Sequence, residues 1–346
     1  MHTVFATALR STSTVESVLV EVEDSDGAVG WGEGVQTWRI TGDSLASIEA
    51  AVQGPLRDVV VGRSVDDLHA LSRVVEDAIA GNTAAKAAVD VALYDLAARQ
   101  LAVPLTRLLG SATCRLETDM TLSVGPVERM ADAARGRVAD GFGVLKVKLG
   151  DGGSDDVARM KAVRAAVGPG ARLRVDANQG WTPRESVRIV RTLEDAGLDI
   201  ELVEQPVHHD DLDGLAYVTS RVDTPVLADE AVWSARDALE VVRRGAADLL
   251  NIKLAKCGGL GPALRLLAVA EASGTGVLVG QMMETHVGTG AGAALAAVVA
   301  SPYVADLDAA WWLRTSPVRG GLTYEGSTIV LPDSPGLGVD GLAEPA

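Results

Sequence analysis

Cysteine is scarce in this 346-residue chain: Cys114 and Cys257 lie far apart, and neither has a His or second Cys at a ligand spacing. The sequence therefore points to no disulfide framework and no zinc site, and both cysteines read as packed thiols. Long apolar runs are missing too. No stretch approaches the ~20 residues needed to cross a bilayer. The opening "MHTVFATALRSTS" lacks both a basic n-region and an uninterrupted apolar h-region, so a cytoplasmic protein is expected. Basic charge is in deficit, with 31 Lys and Arg against 47 Asp and Glu and a net charge of −16. That sign is opposite to the footprint of a nucleic-acid binder and unsuited to an anionic membrane. What is present is apolar content of 47%, enough for one large core or two modest ones.

The first third mixes two periodicities. Residues 16–24 and 28–34 alternate like strands, with "DSDG" between them supplying hairpin-turn chemistry. Residues 43–60, 66–80 and 82–100 carry apolar positions at helical spacing, the last opening with Asn82 as N-cap. From about residue 116 short apolar runs alternate with amphipathic segments. The candidate strands are 118–124, 144–149, 172–176, 200–204, 226–229, 249–253, 277–281 and 303–307, and helical stretches such as 155–167, 183–196, 234–244 and 261–273 lie between them. Eight strands with helices in the seven gaps specify a parallel α/β barrel. No internal repeat accompanies this period. The Gly- and Ala-rich run 288–300 fits neither a P-loop nor a dinucleotide fingerprint and reads as close helix packing. A Gly/Pro-rich tail follows residue 314.

In a parallel barrel the loops after the strands all open on one face, which carries the chemistry. Here the strand ends carry Lys146 and Lys148, Asp176 with Asn178, Glu204, Asp229 with Glu230, Lys253, Glu284 shortly after the seventh, and Asp306 with Asp308. Any one of these could be a solvated residue or a helix cap; seven in succession should converge on one axis. Asp176, Glu204 and Asp229, three hard oxygen donors from consecutive strands, suit Mg²⁺ with positions left for substrate oxygens and water. The alternative is a set of structural salt-bridge acids. Lys148 and Lys253, from the second and sixth strands, would face each other across that metal. Their ammonium forms would be disfavoured there, so that a neutral amine becomes accessible; plain charge balance is the alternative. A carboxylate-binding metal with a base on either side is suited to removing the proton next to that carboxylate through an enediolate and returning one on the opposite face.

The motifs "VGWGEG", "NTAAKAAVDVALYDLAA", "LKVKLG", "RVDANQGW", "IELVEQPV", "DTPVLADE", "LLNIKLAKCGG", "MMET" and "DLD" run over nearly the whole chain. In this order they resemble the enolase superfamily, muconate-lactonizing subgroup, where a Lys base with Mg²⁺ is a known pattern. More narrowly, they resemble the dipeptide epimerases that interconvert L-Ala-L-Glu and L-Ala-D-Glu. The resemblance implies a modified TIM barrel, (β/α)7β, over 113–314, an N-terminal α+β capping domain over 1–112, and a C-terminal segment, 315–346, packing back on the cap. It implies Mg²⁺ on Asp176, Glu204 and Asp229, acid/base roles for Lys148 and Lys253, and a charge-neutralising role for Lys146 at the substrate carboxylate. Asp306 and Asp308 match the pair that receives the dipeptide ammonium; a strand-end turn is the other reading. Arg10 matches the cap-loop arginine that grips the glutamate side chain, and Glu284 is placed with the substrate-binding residues.

Some features depart from that pattern. Ala310, Trp311 and Trp312 follow the aspartates where a proline and aliphatic residues are usual, and Trp38 and Arg39 occupy the second cap loop. Packing is the default for the tryptophans, while their positions could also reshape the pocket. His286 reads as a surface or loop-packing residue, and His208 and His209 as a solvated loop. Members of the family usually begin with a complete strand before "FATALR", whereas only Met1 to Phe5 stand before Ala6, which leaves an upstream start open. The expected activity is epimerisation of a dipeptide, Ala-Glu or a relative, with no nucleic acid and no membrane as partner and a homo-oligomer as the assembly. The same chemistry would serve an N-acylamino-acid racemase, an o-succinylbenzoate synthase or a muconate cycloisomerase. A non-catalytic Mg²⁺ or small-molecule binder is opposed by the two lysines.

Overall fold

Glycine spacing sets how the first third packs. The computed structural model describes residues 5–6, 11–150 and 155–344. In it, strands β1 (Ser17–Glu23) and β2 (Val29–Val35) form the antiparallel hairpin expected from the "DSDG" turn. Helices α1 (Leu45–Ala51), α2 (Leu68–Asp77) and α3 (Thr83–Gln100) cover it. Alternate residues of β2 share a face, which puts Gly30, Gly32 and Gly34 against α3. A Cβ at Gly32 would lie 1.8 Å from the Ala88 carbonyl oxygen, and one at Gly30 2.1 Å from that of Ala92. Strand and helix backbones therefore meet with only alanine between them. Two expectations need correction. The helix over 43–60 is interrupted by a π turn at Val52–Leu56, where Pro55 lacks an N–H and Gly54 leaves helical geometry. Asn82 does not cap α3 through its side chain: its φ is 51° and its amide donates to Ala80 O. Asp43 accepts from Ala84 N instead, at 3.2 Å.

Seven of the eight expected barrel strands are present. Strands β3 (Met120–Leu122), β4 (Val144–Lys148), β5 (Arg172–Asp176), β6 (Ile200–Glu204), β7 (Val226–Ala228), β8 (Leu249–Ile252) and β9 (Gly276–Val279) form a seven-stranded parallel sheet in sequence order. Helices α4 (Val127–Ala139), α5 (Asp156–Val167), α6 (Pro183–Asp195), α7 (Leu212–Thr219), α8 (Ala235–Arg244), α9 (Leu260–Ser273) and α10 (His286–Ala296) fill the connections. The eighth stave is thinner than the expected strand 303–307. It consists of two parallel bridges, Thr118 with Ala305 and Gly280 with Asp306. Its next ladder position is taken by a side chain, because Leu307 N donates to Thr118 Oγ1 at 2.8 Å, and the chain then turns into a 3-10 helix, Ala309–Trp312.

Leu202, Leu227, Leu249 and Leu278 form a small cluster apart from the main core. Two residues further along the same strands, hence on the same faces, come Glu204, Asp229 and Asn251. Charge thus sits directly above an apolar plug. The tail crosses back: Thr328–Val330 pairs with Arg115–Glu117, and Leu337 N donates to Asp95 Oδ1 on α3. Among the described residues, no helix is long and apolar enough to cross a membrane.

Candidate active site

Strand register brings the charged ends together. Lys148 stands opposite Asp176 and Asp176 opposite Glu204, while Leu227 pairs with Glu204, so that Asp229 lies one pleat further on. Lys146 Nζ lies 2.7 Å from Asp306 Oδ2, 3.0 Å from Asp176 Oδ2 and 2.6 Å from Glu204 Oε2. Lys148 Nζ donates to Asp176 Oδ2 at 2.6 Å, and Lys253 Nζ to Asp229 Oδ2 at 2.6 Å. All are buried. Lys146, Lys148, Asp229, Lys253, Asp306 and Asp308 line one cleft at the C-terminal face of the barrel.

Several participants had weaker signals in the sequence. Lys256, one helical turn beyond Lys253, donates to Asp229 Oδ1 at 2.6 Å; its i,i+3 spacing in "KLAK" was the available clue. Asn251 Nδ2 donates to Glu204 Oε1 at 3.0 Å, and Asn178 N to Asp176 Oδ1 at 2.8 Å. Ile40, Met282 and Met283 give the cleft its apolar wall. Nothing in their local pattern distinguishes them from core.

The charge balance of this cluster is uneven. Six carboxyl groups (Asp176, Glu204, Asp229, Glu230, Asp306, Asp308) face four amines (Lys146, Lys148, Lys253, Lys256), a formal surplus of two negative charges when all are ionised. Burial, and then the charge of Asp176, push the Glu204 carboxyl up to about 7; burial and Asp229 do the same to Glu230. For Asp229 burial acts upward, but Lys253 and Lys256 outweigh it and hold the group well below the usual range. Glu230 Oε2 and Asn178 Oδ1 are buried without a hydrogen-bond partner. A divalent cation fits this donor set: all hard oxygens, short by two positive charges, with unused acceptors beside it. Asp176, Glu204 and Asp229 are the residues that could hold it. Their oxygens do not all come within 4.8 Å of one another, since Lys146 and Lys253 reach in among them. Lys253 is shifted upward, against the expected depression: burial acts downward, and the carboxylates of Asp229 and Glu204 overcome it.

Other expected residues lie elsewhere. Glu284 does not line the cleft; its Oε1 accepts from Met282 N at 3.2 Å, and its carboxylate fills the space left by Gly288. Arg10 is outside the described residues. Trp38 is 66% exposed and Arg39 is exposed, so Ile40 is the residue their loop sends into the cleft. Trp311 and Trp312 pack edge-to-face behind the cleft wall, with ring centroids 5.6 Å apart. His286 is half-buried, and burial pushes its imidazole downward. His208 and His209 are in a solvated loop, as expected, where their ring nitrogens and Asp210 come within 4.8 Å of one another.

Comparison with known proteins agrees with this geometry. Residues 129–344 match the Enolase C-terminal domain-like family, and residues 1–110 match the mandelate racemase / muconate lactonizing enzyme N-terminal domain. The chain is 47% identical over 340 residues to the L-Ala-D/L-Glu epimerase of Bacillus subtilis (strain 168), covering 98% of this chain and 93% of that protein. It is 41% identical over 337 residues to the hydrophobic dipeptide epimerase of Enterococcus faecalis, covering 97% and 94%. The substrate-liganded complex of the Bacillus subtilis enzyme superposes with a TM-score of 0.97 over 99% of this chain and 96% of that one, at 47% identity. The Enterococcus faecalis dipeptide epimerase, complexed with Mg and L-Leu-L-Tyr, superposes with a TM-score of 0.93 over 97% and 95%, at 41% identity. Family-model matches over both parts of the chain, with a shared fold and sequence over nearly its full length, place the chain in the mandelate racemase / muconate lactonizing enzyme family of the enolase superfamily.

Proposed function

We propose that the chain is a Mg²⁺-dependent dipeptide epimerase, an isomerase that inverts the α-carbon of the C-terminal residue of Ala-Glu or a related dipeptide. The observation that carries this reading is one buried cleft holding lysines from the second and sixth strands together with the Asp306 and Asp308 pair. Asp176, Glu204 and Asp229 would hold the metal. Mg²⁺, when bound, supplies positive charge at the substrate carboxylate and so stabilises the negative charge that develops there. Lys148 and Lys253 Nζ take and return the α-proton, one at each face of the carbon. Each amine is kept in place by one carboxylate, Asp176 or Asp229, at 2.6 Å. Lys146 offsets the charge of the substrate carboxylate, and Asp306 and Asp308 receive the ammonium through charge-assisted hydrogen bonds.

Arg10 is proposed to grip the glutamate side chain from the cap loop. We assign the cap to residues 1–112, the barrel to 113–314 and the returning segment to 315–346. A homo-oligomer in the cytoplasm is the proposed setting; both cysteines are free thiols, as suits a reducing compartment. The test is incubation of dipeptide mixtures with enzyme and Mg²⁺ in D₂O. Deuterium at the α-carbon of the C-terminal residue is expected, and its absence from every dipeptide overturns the reading. An N-acylamino-acid racemase of the same superfamily would be barely affected by D308N, which should cripple a dipeptide epimerase; Asp306, as the partner of Lys146, matters to both.

A further inference from the structure

Asp306 and Asp308 are not equivalent. Asp306 shares the ammonium of Lys146 at 2.7 Å. Asp308 Oδ2 instead accepts from two uncharged donors, Thr121 N at 2.8 Å and Trp312 Nε1 at 3.1 Å. Asp308 immediately precedes the 3-10 turn Ala309–Trp312, where an aspartate ordinarily caps the following N–H groups. It makes no such bond. At the cleft it lines, its carboxylate leaves the backbone N–H groups of the turn uncapped and takes the indole N–H of the turn's last residue instead.

The surroundings hold that orientation. Leu307 O accepts from Tyr324 OH at 2.7 Å. With its amide oriented to satisfy its neighbours, Gln281 accepts from Asp308 N at 3.0 Å and Ala309 N at 2.6 Å. The backbone is thus tied on both sides, and the rotation of the carboxylate is left to the indole and to Thr121, through its N–H and its side chain. The indole is itself immobilised. Trp312 is buried, lies edge-to-face with Trp311, and has the Arg137 guanidinium 5.7 Å from its ring, with the same group 4.8 Å from Trp311. Phe142 closes the stack at 5.5 Å from Trp311.

We propose that Trp312 is a positioning residue for amine recognition: its indole N–H, with Thr121 N–H, fixes Asp308 Oδ2 so that Oδ1 is presented to the substrate ammonium. This rests on the dipeptide reading above and refines it. The unusual "AAWW" does not shape the cleft wall; it sets the aim of one acceptor. Its effect falls on substrates with a free α-amine and not on their N-acylated counterparts.

The test is W312F, which keeps an aromatic ring and removes the donor. Losing one hydrogen bond to a charged group is expected to raise KM for the free dipeptide about tenfold, with kcat within about twofold because the ammonium Asp308 receives is on the N-terminal residue and not on the carbon that exchanges its proton. The inhibition constant of the N-acetylated dipeptide should not move. KM unchanged, or KM and the N-acetyl inhibition constant rising together, overturns the proposal. A second measurement uses the unaltered protein labelled with ¹⁵N-tryptophan. One indole resonance should shift with the dipeptide and not with its N-acetyl form, and equal responses overturn the proposal. Wild-type turnover of dipeptides with an unaltered KM in W312F sinks the role of Trp312 alone; no turnover by the wild type sinks both readings.

Discussion

At the residue scale, Lys148 and Lys253 are each bound to a different carboxylate and contributed by different strands, so the two should fail differently. K148A and K253A are each expected to lower kcat by ~10²–10⁴ while dipeptide binding persists. Deuterium uptake followed separately from the L and D epimers should fall first for a different epimer in each variant. Glu284 supports a second prediction. Burial, and then the charge of Glu33, push its carboxyl up to about 8, so the folded state favours the protonated form. Its stabilising contribution is complete below the ordinary glutamate range and is lost as pH rises through about 8. E284Q, permanently neutral, should match the wild type in thermal unfolding near pH 5 and exceed it by a few degrees above pH 8. Equal pH dependence of the two proteins would contradict this. Glu284 also marks a limit of sequence reading. The strand-end acids within the ladder point where period two puts them, whereas a residue past the last paired position can turn either way, and Gly288 leaves it room on the far side.

At the scale of elements, the glycine stripe of β2 lies close against Ala84, Ala88 and Ala92 of α3. G32A would set a methyl against a backbone carbonyl that cannot retreat, and should cost about 3 kcal/mol, measured by denaturant unfolding. D43A removes the acceptor for Ala84 N and should cost ~1 kcal/mol. The hairpin and the helix were each legible from periodicity. Their mutual packing was not, because nothing local to "VGWGEG" says which helix lies on it. The cap of α3 is hidden from sequence for a similar reason: Asn82 is adjacent in sequence, but Asp43, from another loop, is adjacent in space. The barrel strands were legible because short apolar runs alternate with amphipathic segments, and the site because charged residues recur once per strand-helix unit. The eighth was overestimated, since Thr118 takes the N–H a ladder would have used.

At the scale of the whole molecule, cap and barrel are joined by carboxylates placed on helix N-termini. Glu33 accepts from Thr285 N, Thr285 Oγ1 and Gly288 N at the start of α10, and Asp90 accepts from Gly261 N at the start of α9. Both exploit unpaired N–H groups and the positive end of the helix dipole. These links join residues far apart in the chain and left no trace in its pattern. The two-charge surplus of the site carries the prediction for metal removal. EDTA should abolish exchange, added Mg²⁺ should restore it, and the melting temperature should rise with Mg²⁺ concentration as binding to the folded state requires. Full activity after exhaustive chelation would rule out the assigned metal site.

The thin eighth stave carries one further consequence. The residues assigned to proton transfer and metal binding stand on, or one residue beyond, strands that pair with both neighbours in the parallel sheet, whereas Asp306 and Asp308 hang on a seam of two isolated bridges, braced by a tyrosine from the tail and by the turn that ends in Trp312. Under the roles proposed above, substitutions along the seam should therefore change which amine end is accepted more than they change proton transfer.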